Sequence, residues 1–412
     1  MVWLLIGYMF LFIHRPFELW PSLGDLHVER IYIFGLFAYW LVYPKKWFPD
    51  LQHWSYVLFA SAVLLCWVIS PWAEEGQVVV ENWFKIVFFY FLFVTVIRDE
   101  KSLKHLAWGF LLVMGLYMGH SFWEYLGGRH TFRMGITRMI GVDTSLGDPN
   151  SFGASIVFAL PLVTAFWNAN PSRQLRLALM LYLALSVGCI LLTGSRSAFL
   201  CLVVWAGIRI WNSRYRWQAV IVSSVVFPII FAVLPESLQN RFETIINPDV
   251  GPENAKISGQ GRVEGLLTGM ELLAENPLTG VGPGAWRPAT GSEIESHNLY
   301  GQVMGEMGLL GVLTFGGILV CFWSNLRWMK RKSRSLPGLE SEFLFQLSRS
   351  IGTGIFLMLL AGIFGHNLFR HNWLWYGGFL ILARACVLRE FRVARQGVIS
   401  SPRWRVSSPQ MA

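Results

Sequence analysis

The chain has 412 residues, of which 54% are hydrophobic and only 14% charged, against about 25% charged in an ordinary soluble domain. That deficit, with apolar runs recurring at about 20 residues, excludes a soluble globular enzyme and predicts an all-α, polytopic integral membrane protein. The formal charge of +9 raises nucleic acid as a partner, so the placement of the basic residues is decisive.

In chain order the apolar segments predict about twelve transmembrane helices. They fall roughly at 1–13, 30–43, 54–70, 78–97, 103–120, 151–169, 174–193, 197–211, 218–234, 297–325, 350–365 and 371–388. The first two are short for a bilayer. The N-terminal run has no basic leader and no small-residue cleavage site, which reads as an uncleaved segment. No internal repeat is evident, so residues 1–412 form a single membrane domain. Cys66, Cys189, Cys201, Cys321 and Cys386 all lie in apolar runs without metal-ligand spacing. They read as small buried hydrophobes.

Basic residues alternate from one set of connections to the next. Lys45 and Lys46, then Arg98, Lys101 and Lys104, then Arg173 and Arg176, then Arg209, Arg214 and Arg216 share one side. Arg327 to Arg334 and the Arg-rich tail after Leu388 join them. Short loops rich in Lys and Arg stay cytoplasmic. The opposite set (14–29, 71–77, 121–150, 194–196, a long loop at 235–296, and 366–370) then faces outward. The positive charge becomes a topology signal, and no nucleic acid is required. Arg129, Arg133, Arg138, Arg196, Arg241, Arg262, Arg287 and Arg370 are the outer-side minority and call for separate reasons.

The one long polar interruption runs from Gly259 to Gly311. Val263, Leu266, Leu267, Met270 and Leu273 recur at three- and four-residue steps, predicting an amphipathic surface helix with Arg262 at its start. An arginine there opposes the helix dipole, so either an anion holds it or lipid headgroups and water solvate it. Asn276 to Gly284 reads NPLTGVGPG and cannot be regular helix. Amides near Gly282 and Gly284 suit a small anion nest; a plain turn back to the membrane is the simpler reading. His297 follows Ser296, a good N-cap. A histidine at a helix N-terminus tends to stay neutral, which suits a general base and equally a capping residue. His366-Asn367 and His371-Asn372 repeat the His297-Asn298 pair near the outer ends of the last two spans. Glu306 lies nine residues past His297, half a helical turn out of phase and roughly 13 Å deeper. It is therefore no direct partner of His297 and is expected to have a structural contact. Gly301, Gly305 and Gly308 form a stripe for close helix packing. Arg196 sits in a tight turn among small residues, open to snorkelling and to ligand binding alike. Asp148-Pro149 reads as a helix start, and Glu81 with Lys85 as an i,i+4 pair.

Walker, dinucleotide, HExxH, paired-cysteine and GxSxG motifs are absent from the sequence. No metal or other cofactor is expected. The cytoplasmic loops are too short for a nucleotide-sugar domain, so any activated donor has to be membrane-borne.

The ordered set GSRS at 194–197, GR at 261–262, NPLTGVGPG at 276–284, HN at 297–298 and EMGLLG at 306–311 resembles the O-antigen ligase and polymerase superfamily. The likeness centres on a core at 194–325. It implies a fold similar to the C-type membrane glycosyltransferases, with a long periplasmic loop and residence in the bacterial inner membrane. It also implies transfer of a glycan from a polyprenyl-pyrophosphate carrier to a lipid, glycan or protein acceptor. By the same resemblance, Arg196 and Arg262 would bind the donor pyrophosphate and His297 would activate the acceptor. Asn298, Gly282, Gly284, His366 and His371 are candidates for the surrounding cavity. A repeat-unit polymerase and a protein O-oligosaccharyltransferase share these motifs. A transporter of an anionic or lipid-linked solute is the non-enzyme alternative, weakened because the ionisable residues gather at one face.

Overall fold

The computed structural model describes all residues except Met134, 144–146, Asn170, Ile246, 248–253, 336–341 and 401–412. The side chains of Pro21, Arg133, 254–260, 334–335 and 392–400 are also outside the described set. Arg133, Arg334 and most of the Arg-rich tail therefore fall outside it.

The chain folds as helices α1 (Val2–His14), α2 (Pro16–Leu19), α3 (Pro21–Asp25), α4 (Val28–Val42), α5 (Leu51–Ile69), α6 (Ala73–Val96) and α7 (Glu100–Leu126). A two-stranded antiparallel hairpin follows, β1 (His130–Arg133) and β2 (Ile136–Met139), within the 121–150 connection. Next come α8 (Pro149–Asn168), α9 (Arg173–Leu192), α10 (Arg196–Trp211), α11 (Arg216–Val233), α12 (Glu236–Glu243), α13 (Asn254–Glu275) and α14 (Trp286–Thr290). The chain ends in α15 (Leu299–Ser335), α16 (Glu342–Gly362) and α17 (Asn372–Ser400). Among the described residues nine helices are long and apolar enough to cross a membrane. The protein is a mainly α-helical integral membrane protein, and α4 and α10 are shorter than those nine.

Several helix starts follow directly from the sequence. Asp148 caps α8 by accepting from the Asn150 and Ser151 amides, with Pro149 in the first turn. Asp50, Asp99, Ser172 and Ser195 cap α5, α7, α9 and α10 in the same manner. A buried clasp ties three helices together. Arg384 of α17 pairs with Asp50 and donates to Asn325 Oδ1 at 2.8 Å, and Asn325 donates to Gln52 Oε1 at 2.7 Å. Glu81 and Lys85 do not pair as expected: Lys85 reaches Glu29 on α4 at 3.7 Å, while Gln77 donates to Glu81. The tertiary neighbour displaced the local i,i+4 choice.

The turn cluster at 276–284 is not a loose return to the membrane. Helix α15 breaks at Gly308, whose φ of 60° and ψ of −156° are non-helical. The break leaves backbone groups without helical partners, each costly inside a bilayer. The turn supplies four of them. Val281 and Gly282 amides donate to the carbonyls of Gly305 and Glu306 at 2.9 Å. Leu309 and Leu310 amides donate in return to the carbonyls of Pro277 (2.9 Å) and Leu278 (3.1 Å).

Candidate active site

Two short glycine contacts bring the ends of the polar stretch together. A Cβ on Gly269 would stand 2.4 Å from the Gly301 Cα, and one on Gly301 would stand 2.0 Å from the Gly265 carbonyl oxygen. Only glycine permits this approach, and it lays α13 against the first turns of α15. The stripe expected at Gly301 and Gly305 thus packs on α13, whereas Gly308 forms the break. The apolar residues Val263, Leu267 and Met270 remain 61%, 52% and 53% exposed, pointing away from the bundle as a membrane-lying face would.

Arg262 is not at a helix start. Helix α13 begins at Asn254, so the dipole argument does not apply to it. Its guanidinium lies over the Phe364 ring at 5.1 Å. Burial, and then the nearby Arg196 charge, lower its pKa to about 10. The two arginines predicted from sequence are therefore electrostatic neighbours. Arg196, the first residue of α10, donates to Thr244 Oγ1 at 2.9 Å.

His297 precedes the capping residue instead of following it. Asn298 is the cap of α15: its Oδ1 accepts from the Tyr300 and Gly301 amides at 2.9 and 3.1 Å. Ser296, expected in that role, donates to the Asn298 carbonyl. Asn298 Nδ2 also reaches the carbonyls of Arg262 (3.5 Å) and Ile363 (3.4 Å), joining α13, α15 and the end of α16. The His297 ring stacks on His366 (centroids 6.1 Å apart, planes at 17°).

The two histidines line a cavity of about 500 Å³. Arg138, Arg241, Arg287 and Arg370 also line it, with Asp148, Glu264 and Glu295 as its carboxylates. Arg196 and Arg262 stand beside this lining and are not part of it. Arg138 donates to the Thr193 carbonyl (2.7 Å) and to Asn150 Oδ1 (2.9 Å), Arg241 to the Gly194 carbonyl (2.6 Å), and Arg370 to Ser155 Oγ (2.8 Å). Arg287 pairs with Glu295 at 2.9 Å. These bonds fix four cationic side chains, from β2, α12, α14 and the segment before α17, around one space. Sequence reasoning placed all four on the outer side without assigning them to a site, because their convergence crosses more than 200 residues of chain. Dense protein walls, then His297 and Arg370, hold the His366 imidazole below its ordinary value, favouring the neutral ring.

A second space of about 320 Å³ adjoins the first, sharing Asp148, Ser151, Glu295, His366, Asn367 and Arg370. A third, of about 410 Å³, shares Gly261, Glu264, Ile294, Glu295 and His297. Glu295 borders all three, a position no local motif announced. Burial raises its carboxyl pKa and Arg287 opposes that shift. His371 does not line the main cavity. It is packed among Trp375, Phe12 and Phe110, with centroids 4.4, 5.5 and 6.4 Å away, and borders only the second space. Gly282 and Gly284 offer no nest to an external anion. The Gly282 amide is used by the Glu306 carbonyl, and the Gly284 amide donates to Glu306 Oε2 at 3.1 Å. The carboxylate that occupies the turn is the protein's own, which also gives buried Glu306 its structural contact. Among the described residues no group of three His, Cys, Asp or Glu is placed to hold a metal ion.

The fold and site together define a helical membrane bundle with a basic, histidine-bearing cavity at one end. Residues 181–316 match the family model described as O-antigen ligase, and this places that region in the O-antigen ligase superfamily. The match includes Arg196, Arg262, Gly282, Gly284, His297 and Asn298; His366 and His371 lie beyond it. Comparison with curated protein sequences gave no match.

Proposed function

We propose that the protein transfers a glycan from a polyprenyl-pyrophosphate carrier to an acceptor hydroxyl at the periplasmic face of the bacterial inner membrane. The observation that carries this reading is the convergence of His297 with fixed arginines in one cavity, inside a chain whose core matches the O-antigen ligase family. The apolar carrier lies among the helices and its pyrophosphate meets the arginines. Arg196 and Arg262, set beside the cavity, add to the positive potential that stabilises the leaving group as its charge develops. His297, as the neutral imidazole, accepts the proton of the acceptor hydroxyl. The oxygen then forms the new bond to the anomeric carbon. The bond from that carbon to the phosphate oxygen breaks, and the carrier leaves as the pyrophosphate anion. None of these steps calls on a metal or nucleotide sugar. The acceptor is a lipid, glycan or protein hydroxyl.

The test is transfer by the purified protein from a polyprenyl-pyrophosphate glycan, followed by mass of the product. His297→Ala, Arg196→Ala and Arg262→Ala should each lower turnover by about 100-fold or more, in the range for a lost general base or charge stabiliser, at unchanged membrane abundance. Full transfer by all three would remove the mechanism. Addition of one carrier-linked repeat to another would assign the polymerase reaction instead of ligation. Solute flux into vesicles without any transfer would assign transport.

A further inference from the structure

The opposite end of the bundle holds a second polar cavity. Helix α8 reaches the candidate active site through Asn150 and Ser151, and its far end is Asn168; at 1.5 Å per residue the two ends lie about 27 Å apart. Helix α10 likewise runs from Arg196 to the far side, and α16 contributes its first half there. Where these three helices converge is a space of about 340 Å³ lined by Arg209, Arg214 and Arg349, with no Asp or Glu among the described lining residues.

Three arginines in a half-enclosed space would ordinarily recruit carboxylates. Here the protein supplies neutral contacts instead. Arg209 donates to Asn168 Oδ1 at 3.3 Å, and Asn168 in turn donates to Gln346 Oε1 at 3.0 Å. Among the described residues none of the three arginines is in an ion pair. Independently, three other lining residues carry buried polar atoms without a hydrogen-bond partner: Thr164 Oγ1, Trp205 Nε1 and Ser350 Oγ. Ser350 is 2% exposed. Each such atom lacks an interaction that an occupant rich in acceptor oxygens would provide.

The surroundings set the depth of this site. Trp211, Tyr215 and Trp217 beside it are 76%, 53% and 70% exposed, as aromatic side chains at a membrane–water boundary are. The adjoining helix α11 is apolar with none of its span buried, a surface suited to acyl chains. An anion at this level that also presents acyl chains to α11 is a phospholipid.

We propose that this cavity binds the phosphate-bearing headgroup of an anionic membrane phospholipid, with Arg209, Arg349 and Arg214 meeting its phosphate oxygens. In the orientation given by the basic loops, the lipid belongs to the cytoplasmic leaflet. The site is independent of the transfer reaction and stands or falls without it.

Native mass spectrometry of the full chain in detergent tests this, with palmitoyl-oleoyl phosphatidylglycerol titrated against palmitoyl-oleoyl phosphatidylcholine. Phosphatidylglycerol should be retained preferentially. Arg209→Gln and Arg349→Gln should each weaken its retention roughly fivefold, the order expected for one basic residue facing an anionic leaflet. Arg129→Gln, at the other end of the bundle, should leave it unchanged. Arg349 is exposed, so Arg349→Gln alone keeps the test informative if the Arg209 variant does not fold. Equal retention of phosphatidylcholine, or wild-type retention by the Arg349 variant, overturns the proposal. Displacement of phosphatidylglycerol by an equal concentration of inorganic phosphate overturns it too, by assigning the cavity to a free anion.

Discussion

His297, His366 and His371 look alike in sequence, each standing beside an asparagine, yet the fold gives them different surroundings. His297 and His366 stack in the main cavity, whereas His371 is enclosed by aromatic rings. His371→Phe keeps an aromatic ring against Trp375 and should leave transfer near the wild-type rate, whereas His366→Ala removes a ring from the main cavity and should lower it. Equal transfer by the two variants would separate neither histidine from the site.

Among the elements, the break in α15 carries the most consequence. The turn from Pro277 to Gly282 exchanges four backbone hydrogen bonds with the two halves of this helix, and the Gly284 amide holds Glu306. The turn and the helix are one unit. Gly308 has φ of 60°, and a Cβ there would stand 2.6 Å from the Gly280 nitrogen. Gly308→Ala should cost about 1–3 kcal/mol through backbone strain and displacement of the turn, read as a lower thermal midpoint with reduced transfer. Gly316→Ala, in the same helix with open space around its Cβ position, should be neutral to stabilising by up to about 1 kcal/mol. Equal midpoints for the two variants would show that the turn does not depend on the break.

The whole molecule is polarised. One end gathers Arg138, Arg241, Arg287, Arg370 and the histidine pair around a cavity, and the other gathers the basic loops and the Arg209 cavity. With the basic loops in the cytoplasm, Glu293→Cys should react with a membrane-impermeant maleimide in cells with an opened outer membrane. Asn212→Cys should react only after the inner membrane is permeabilised. Both positions are exposed, and four of the five native cysteines are buried, so background labelling is low. The reverse pattern would invert the topology and with it the periplasmic assignment of the site.

The sequence by itself determined the membrane class, the helix-start signals at Asp148 and Asn298's neighbourhood, and the superfamily resemblance, because composition and short ordered motifs are local properties. Two local features mislead: the periodicity starts a helix at Arg262, eight residues past its true start, and Ser296 looks a better cap than Asn298. The Gly282–Gly284 turn stays open between an anion nest and a plain turn until the structure fills its amides. The cap is decided locally, because Asn298 Oδ1 reaches the amides two and three residues on, whereas the turn's amides are used by distant Glu306 and its neighbours. Tertiary structure alone decided which arginines share a cavity with His297. Residues from Arg138 to Arg370 meet there through packing of helices far apart in the chain, and no periodicity along the sequence records that convergence.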